Sequence, residues 1–307
     1  MKKKIDPGRR RKSINFLDNI KYSDVKDLYG NPISLKMSIM LQNGNSEMKF
    51  TSSENKGINL NKKPALVWVP GGGYRGCDKN LMVSEMQFLA EAGYVVASIY
   101  YRSSAEAKAP AQITDVKTAI RFLRAHADEY NIDINRIGIL GRSAGAQLAS
   151  LAAMNSEDFV SEEWVDYSSE VQACYNMFGP TNFDILFEVE EERFKNPNHR
   201  WHTMSETHLG AVIGGEESDM KERAGIYTVK NYINENTAPM LISHGTADPL
   251  VPIEISLDLY DSLCEYGFDK QTDLLMIEGA GHGTDEFFQD ETKRYVVEFF
   301  DKYLKNN

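Results

Sequence analysis

Gly141-Arg142-Ser143-Ala144-Gly145 places a serine between two glycines with the spacing G-x-S-x-G. A serine hydroxyl attacks a carbonyl only if it is exposed and can lose its proton. A sharp strand-to-helix turn supplies the exposure, and glycines on either side let neighbouring backbone pass close by. The turn also sets the hydroxyl at a helix N-terminus, where backbone N–H groups stabilise negative charge. A base and an orienting acid must complete such a site, and after a serine turn of this kind they follow in the chain order acid, then histidine. Ser243-His244-Gly245-Thr246-Ala247-Asp248 and Gly279-Ala280-Gly281-His282-Gly283 both lie downstream. The candidate catalytic residues are therefore Ser143, Asp248 and His282. Asp273 and Asp285 compete for the acid, but Asp273 falls inside an expected strand and Asp285 reads as a helix cap. Asp248 precedes Pro249 in a post-strand turn and is the better orienter.

The oxyanion formed by such an attack needs N–H donors. One is the backbone of Ala144, the residue after the serine, and others belong in a loop after an early strand. Gly71-Gly72-Gly73-Tyr74 is that loop, and its glycines leave their N–H groups unobstructed. A phosphate-cradling role does not fit, because neither G-x-x-x-x-G-K-[ST] nor a strand-linked G-x-G-x-x-G occurs. His199, His202 and His208 raise the question of a metal, with two histidines at i, i+3 and Glu206 nearby. No cysteine or second motif completes a ligand set, so no metal and no organic cofactor are expected. Tyr74 and Trp201 suit the wall of an acyl or sugar pocket, and packing of Trp201 onto the domain is an equal alternative. Arg142 suits contact with a carboxylate or a sugar hydroxyl, or pairing with a nearby acid.

These residues need elements to carry them. Ala65–Val69 reads as a buried strand, Leu81–Ala92 as a helix ended by Gly93, and Tyr94–Tyr100 as a strand. Ile113–Tyr130 places Val116, Ile120, Leu123 and Ala127 on one helical face. Arg136–Leu140 is a strand leading into the serine turn, and Ala144–Met154 is a small-residue helix leaving it. Val171–Met177, Pro239–Ser243 and Thr272–Ile277 are further strands; Pro252–Tyr266 and Asp285–Leu304 are helices. This alternation predicts an α/β protein with a mostly parallel central sheet and helices on both faces. Lys36–Leu41 is expected as an antiparallel edge strand, and Asn43–Lys63 is polar and turn-rich. Residues 181–236 break the alternation and are read as an insertion, or cap, over the sheet's C-terminal edge, where open α/β sheets bind ligands.

The chain has 307 residues, 42% hydrophobic and 26% charged, which suits one globular domain. Residues 1–18 read as a basic, flexible tail and 19–307 as the domain. The formal net charge is -11; Met1–Lys12 alone carries seven positive charges and one negative, leaving 27 Lys+Arg against 44 Asp+Glu, a balance of -17. Such a body repels nucleic acid and anionic membranes. No run of about 18 apolar residues is present, and no apolar stretch of about 7–15 residues follows the basic start as a secretory signal requires. Cys77, Cys174 and Cys264 form neither a metal pattern nor a disulfide framework. A cytoplasmic setting is the expectation.

The sequence resembles the lipase/esterase group of α/β-hydrolases with an H-G-G-G-type motif, the hormone-sensitive-lipase-like group. Within it the chain is most similar to compact esterases of the feruloyl and acetylxylan type. The likeness runs from about Ala65 to Leu304. It is carried by Val69-Pro70-Gly71-Gly72-Gly73-Tyr74, Tyr100-Tyr101-Arg102, Pro110–Val116, Phe122-Leu123-Arg124, Asn131-Ile132-Asp133, Gly141–Gly145, His244–Asp248 and Gly279–Gly283. The resemblance implies the α/β-hydrolase fold and an oxyanion hole of Gly72, Gly73 and Ala144. It also implies a triad of Ser143, Asp248 and His282, and supporting roles for Arg102 and Asp115. Pro70 stands where the group often has His, Arg142 where Glu is common, and Ala146-Gln147 where Gly-His is frequent. The implied activity is carboxylic-ester hydrolysis through an acyl-enzyme, on short-chain acyl or feruloyl esters such as acetylated oligosaccharides. A peptidase of the same fold and a catalytically silent binding protein are the other classes open to this sequence.

Overall fold

The computed structural model describes residues 1–6, 12–42, 62–76 and 78–306. Cys77, part of the basic tail and most of the turn-rich segment Asn43–Lys63 lie outside the described residues. Eight strands form one sheet: β1 (Ile14–Lys26), β2 (Pro32–Gln42), β3 (Lys63–Val69), β4 (Val95–Ile99), β5 (Ile132–Arg142), β6 (Cys174–Met177), β7 (Met240–Gly245) and β8 (Thr272–Ile277). Their spatial order is β1-β2-β4-β3-β5-β6-β7-β8. β1 and β2 are antiparallel to their neighbours, and every pairing from β4 to β8 is parallel. The α-helices are α1 (Gln87–Glu91), α2 (Ala111–Ala125), α3 (Ala144–Ala153), α4 (Phe183–Phe194), α5 (His208–Ile213), α6 (Glu217–Ala224), α7 (Ile253–Leu263) and α8 (Asp290–Leu304).

Strand side chains alternate between two cores, as a period of two requires. On β3, Ala65, Val67 and Val69 face the core shared with α2, α3 and α7, which supply Val116, Ile120, Leu148, Ile255 and Leu259. Leu66 and Trp68 face the other core, closed by Leu89 of α1 and Phe299, Phe300 and Leu304 of α8. Gly138 on β5 belongs to this second face; a Cβ there would meet Leu66, Leu304 and Phe300 side chains at 2.8–3.1 Å.

Several sequence expectations change; the helix read over Ile113–Tyr130 is α2, which ends at Ala125 and leaves Ala127 in the turn after it. The flexible tail does not reach residue 18, because β1 starts at Ile14 and pairs Leu17 with Ile39. Its mixed composition suits an edge strand, with Leu17 and Ile20 packed on the core and alternate residues in solvent. Lys36–Leu41 is consequently not an edge: β2 lies between β1 and β4. The expected helix Leu81–Ala92 contracts to α1 preceded by a 3-10 turn at Val83–Met86. Met82 has φ 59°, a left-handed conformation that no α-helix passes through. The last expected helix likewise divides into a 3-10 turn, Asp285–Phe288, and α8.

Candidate active site

Strand order decides where a site can form. β3 is followed in space by β4 on one side and β5 on the other, so the loops leaving β3 and β5 diverge at a topological switch point. The register pairs Trp68 with Leu140 and Val69 with Gly141. The glycine loop after β3 therefore emerges directly beside the serine turn after β5. β6, β7 and β8 run parallel to β5, so the loops holding Asp248 and His282 leave from the same edge.

Ser143 has φ 50° and ψ -127°, a strained backbone for a residue with a side chain. Both flanking glycines are required. A Cβ on Gly141 would lie 2.4 Å from the Gly145 carbonyl oxygen. A Cβ on Gly145 would lie 2.1 Å from the Val69 oxygen and 2.5 Å from the Pro70 oxygen. The turn is thus pressed against the backbone of the glycine loop, and the hydroxyl emerges between the two. Ala144 is the first residue of α3, and the N–H groups of a first helical turn have no acceptor within their helix.

The structure brings Ser143, Asp248 and His282 together. His282 Nε2 lies 2.9 Å from Ser143 Oγ, and His282 Nδ1 lies 2.7 Å from Asp248 Oδ2. A carboxylate only accepts, so Nδ1–H donates to it and Nε2 of the neutral ring is left to accept from the serine. The Asp248 side chain is fully buried. Burial alone would raise its pKa, but hydrogen bonds from His244 and His282 and the backbone N–H of Val251 hold it well below the usual carboxylate range. Its Oδ1 accepts from the N–H groups of Leu250 at 2.8 Å and Val251 at 3.0 Å. Asp273 sits within β8 and Asp285 opens the 3-10 turn, so neither enters this relay.

His244 is a participant that the sequence did not single out. It is completely buried at the end of β7. Its Nε2–H points to the Val251 carbonyl at 2.9 Å and to Asp248 Oδ2 at 3.4 Å, while Nδ1 accepts from the Ser256 hydroxyl at 2.6 Å. It ties the acid's loop to the start of α7. The signal for it is a histidine directly after the expected buried strand Pro239–Ser243, where a buried ring needs hydrogen-bond partners.

A cavity of about 590 Å³ opens over Ser143. Gly72, Gly73, Tyr74, Arg142, Ala144, Trp201 and His282 all line it. Gly72 and Gly73 have φ of 151° and 58°; a Cβ on Gly73 would strike the His208 ring at 2.6 Å. Tyr74 is buried and its hydroxyl donates to Gln147 at 3.1 Å, so it offers the cavity a ring rather than a polar group. Gln147 in turn donates to the Tyr227 carbonyl at 2.7 Å. The Pro70 carbonyl accepts from the Tyr101 hydroxyl at 2.9 Å, bracing the glycine loop from below. Arg102 and Asp115 form a buried forked pair, at 2.6 Å and 2.9 Å, that fixes the chain after β4 to α2.

The opposite wall comes from residues 181–235, which contain α4, α5 and α6. Phe183, Leu186, Glu190, Arg193, Trp201 and His208 face the cavity from there. Two arginines tie this segment down. Arg193 of α4 donates to the carbonyls of Pro249 and Leu250, both at 3.0 Å, next to the acid. Arg75, just past the glycine loop, donates to the carbonyls of Glu206 and Thr207, the latter at 2.9 Å. His199 and His208 pack edge-on against Trp201. His202 is exposed, its backbone N–H held by Glu206, and it is not among the residues lining the cavity; among the described residues no group of three such side chains could hold a metal ion.

A relay of hydroxyl, imidazole and carboxylate at the floor of a cavity, beside a glycine loop and the first turn of α3, can carry out nucleophilic acyl transfer. Comparisons with known proteins agree with this architecture. The BD-FAE family profile matches residues 55–263. The chain is 28% identical over 225 residues to Esterase LipC of Mycobacterium tuberculosis (strain ATCC 25618 / H37Rv), covering 72% of this chain and 53% of that protein. It spans about half the length of the curated relatives it matches. Among solved structures, it is similar to a truncated carbohydrate esterase from gut microbiota, with TM-score 0.72, 24% identity and coverage of 95% and 97% of the two chains. It is also similar to a bifunctional GH43-CE protein of Bacteroides eggerthii, with TM-score 0.73, 27% identity and coverage of 94% of this chain and 35% of that one. The chain belongs to the BD-FAE family of esterase/lipase α/β-hydrolases.

Proposed function

We propose that the chain is a serine carboxylic-ester hydrolase working through an acyl-enzyme on Ser143. The observation that carries this reading is the continuous relay Ser143–His282–Asp248, with the hydroxyl held on a strained turn at the floor of a cavity. Family membership and the esterase relative support it. In the first half-reaction His282 Nε2 takes the serine proton while Oγ attacks the ester carbonyl. The oxyanion is received by the N–H groups of Gly72, Gly73 and Ala144, each such donor being worth roughly 10²–10³ in rate. His282 returns the proton to the departing alcohol. Water then attacks the acyl-serine with His282 again as base, releasing the acid. Asp248 keeps the imidazole in the accepting tautomer and stabilises the imidazolium formed in each step.

The favoured substrates in this reading are short-chain acyl or feruloyl esters, such as those of acetylated oligosaccharides, and the setting is cytoplasmic. Mostly apolar walls with a few convergent polar groups suit a small acyl ester. Ser143→Ala is expected to abolish hydrolysis of p-nitrophenyl acetate and labelling by a fluorophosphonate probe, with folding unchanged by circular dichroism. Retained turnover in that variant sinks the assignment, and faster cleavage of aminoacyl-p-nitroanilides than of acyl esters would make the protein a peptidase.

A further inference from the structure

Arg142, immediately before the serine, is a cation in an unusual setting. Its side chain starts against the glycine loop: a Cβ on Gly71 would lie 3.3 Å from Arg142 Cγ and 3.1 Å from Ser143 Cβ. Its head group passes over Gly283, the residue after His282, and its Cζ stands 5.7 Å from the centre of the Phe178 ring. Phe178 packs edge-on against His282 at 4.7 Å. The guanidinium thus lies against the loop that carries His282 and lines the cavity. Its Nε is buried with no hydrogen-bond partner among the described residues. Burial pulls its pKa down with no carboxylate opposing the shift. Arg142 as a whole is half-buried, yet a buried donor is ordinarily paired because desolvation is costly, and an aromatic face at this distance compensates only in part.

No ion pair joins Arg142 to a carboxylate among the described residues. Glu190 is the single carboxylate lining the cavity among the described residues; it sits on α4 in the opposite wall, with Oε1 paired to Arg193 at 2.6 Å and Oε2 3.8 Å from His199 Nε2. Arg200 adds a second positive charge, stacked 3.7 Å from the centre of the Trp201 ring on the far wall. In a chain of net charge -11 this mouth is locally cationic.

We propose that Arg142 receives a carboxylate carried by the ester substrate, on either its acyl or its alcohol part, so that the esters this site favours are anionic ones. The inference rests on the esterase reading and deepens it. Two matched pairs test it: p-nitrophenyl hemiglutarate against its neutral methyl ester, and p-acetoxybenzoate against p-acetoxybenzamide. The first pair places the charge on the acyl group and the second on the alcohol. For the native protein, kcat/KM is expected to favour the charged member of one pair by roughly 10- to 100-fold, the strength of a charge-assisted hydrogen bond. Arg142→Met removes the preference and Arg142→Lys retains a portion; a ratio is read, so a general loss of activity in either variant cancels. Equal or reversed preference in both pairs, no turnover of either charged ester, or a preference that survives Arg142→Met overturns the inference. Turnover of the neutral members together with fluorophosphonate labelling of Ser143 leaves the esterase reading standing in that case. Absence of both takes down the reading and the inference together.

Discussion

Asp248 shows how a single side chain is tuned by what surrounds it. A buried carboxylate stays ionised only when donors replace the water it has lost. Two backbone N–H groups, His282 and His244 supply them here. The pH dependence of stability follows from the sign of the shift. The carboxyl's folded pKa is depressed, so its contribution is fully present above the unfolded value of about 3.9 and is lost as the pH falls below it. His244→Gln weakens the donor set and makes the depression smaller. The variant is expected to unfold at lower urea concentration at neutral pH and to lose less stability than the native protein on acidification from about pH 5 to about pH 2. Parallel urea midpoints across that range check this; identical pH slopes would show that His244 does not tune the acid.

The elements that matter most to the site are those that hold two loops in place from outside the sheet. α4 carries Arg193, which is paired to Glu190 and donates to the carbonyls of Pro249 and Leu250. This fixes the loop whose next neighbour is Asp248. Hydrogen bonds from a charged donor contribute about 1.5–3 kcal/mol when one partner is removed. Arg193→Met keeps the apolar stem and deletes the donors. Its kcat/KM on p-nitrophenyl acetate is expected to fall roughly 10-fold, with a drop of a few degrees in Tm. An unchanged kcat/KM would mean that the acid loop stands without this tie. Arg75 acts similarly between the glycine loop and the residues before α5.

At the scale of the molecule, stability rests on two cores separated by one sheet. α8 closes the second core with Phe299, Phe300 and Leu304, far along the chain from the strands they cover. Phe300 is fully buried and packs against Tyr94 and Gly138. Phe300→Ala is expected to cost about 3–5 kcal/mol, the usual range for a truncated core phenylalanine. Equilibrium urea denaturation measures it, and a loss under about 1 kcal/mol would show that α8 contributes little to the fold. No helix among the described residues is long and apolar enough to cross a membrane.

Much of this protein was legible in its residues. Local chemistry fixes a serine turn between glycines, a glycine loop after a buried strand, and the order acid then histidine, because each is written in a few adjacent positions. Alternating strand and helix periods predict the parallel sheet, since burial on both faces demands continuous apolar strands. Other features depend on partners distant in the chain. β1 was hidden because an edge strand with one wet face looks like a polar tail until Leu17 meets Ile39. α1 was overestimated because apolar spacing does not reveal the left-handed turn at Met82. His244, Arg193 and Arg75 acquire meaning only where β7, α4 and the glycine loop meet. The tertiary structure alone decided that Arg142 lies against the His282 loop with its Nε unpartnered among the described residues, because pairing is a property of neighbours in space, which sequence spacing does not specify.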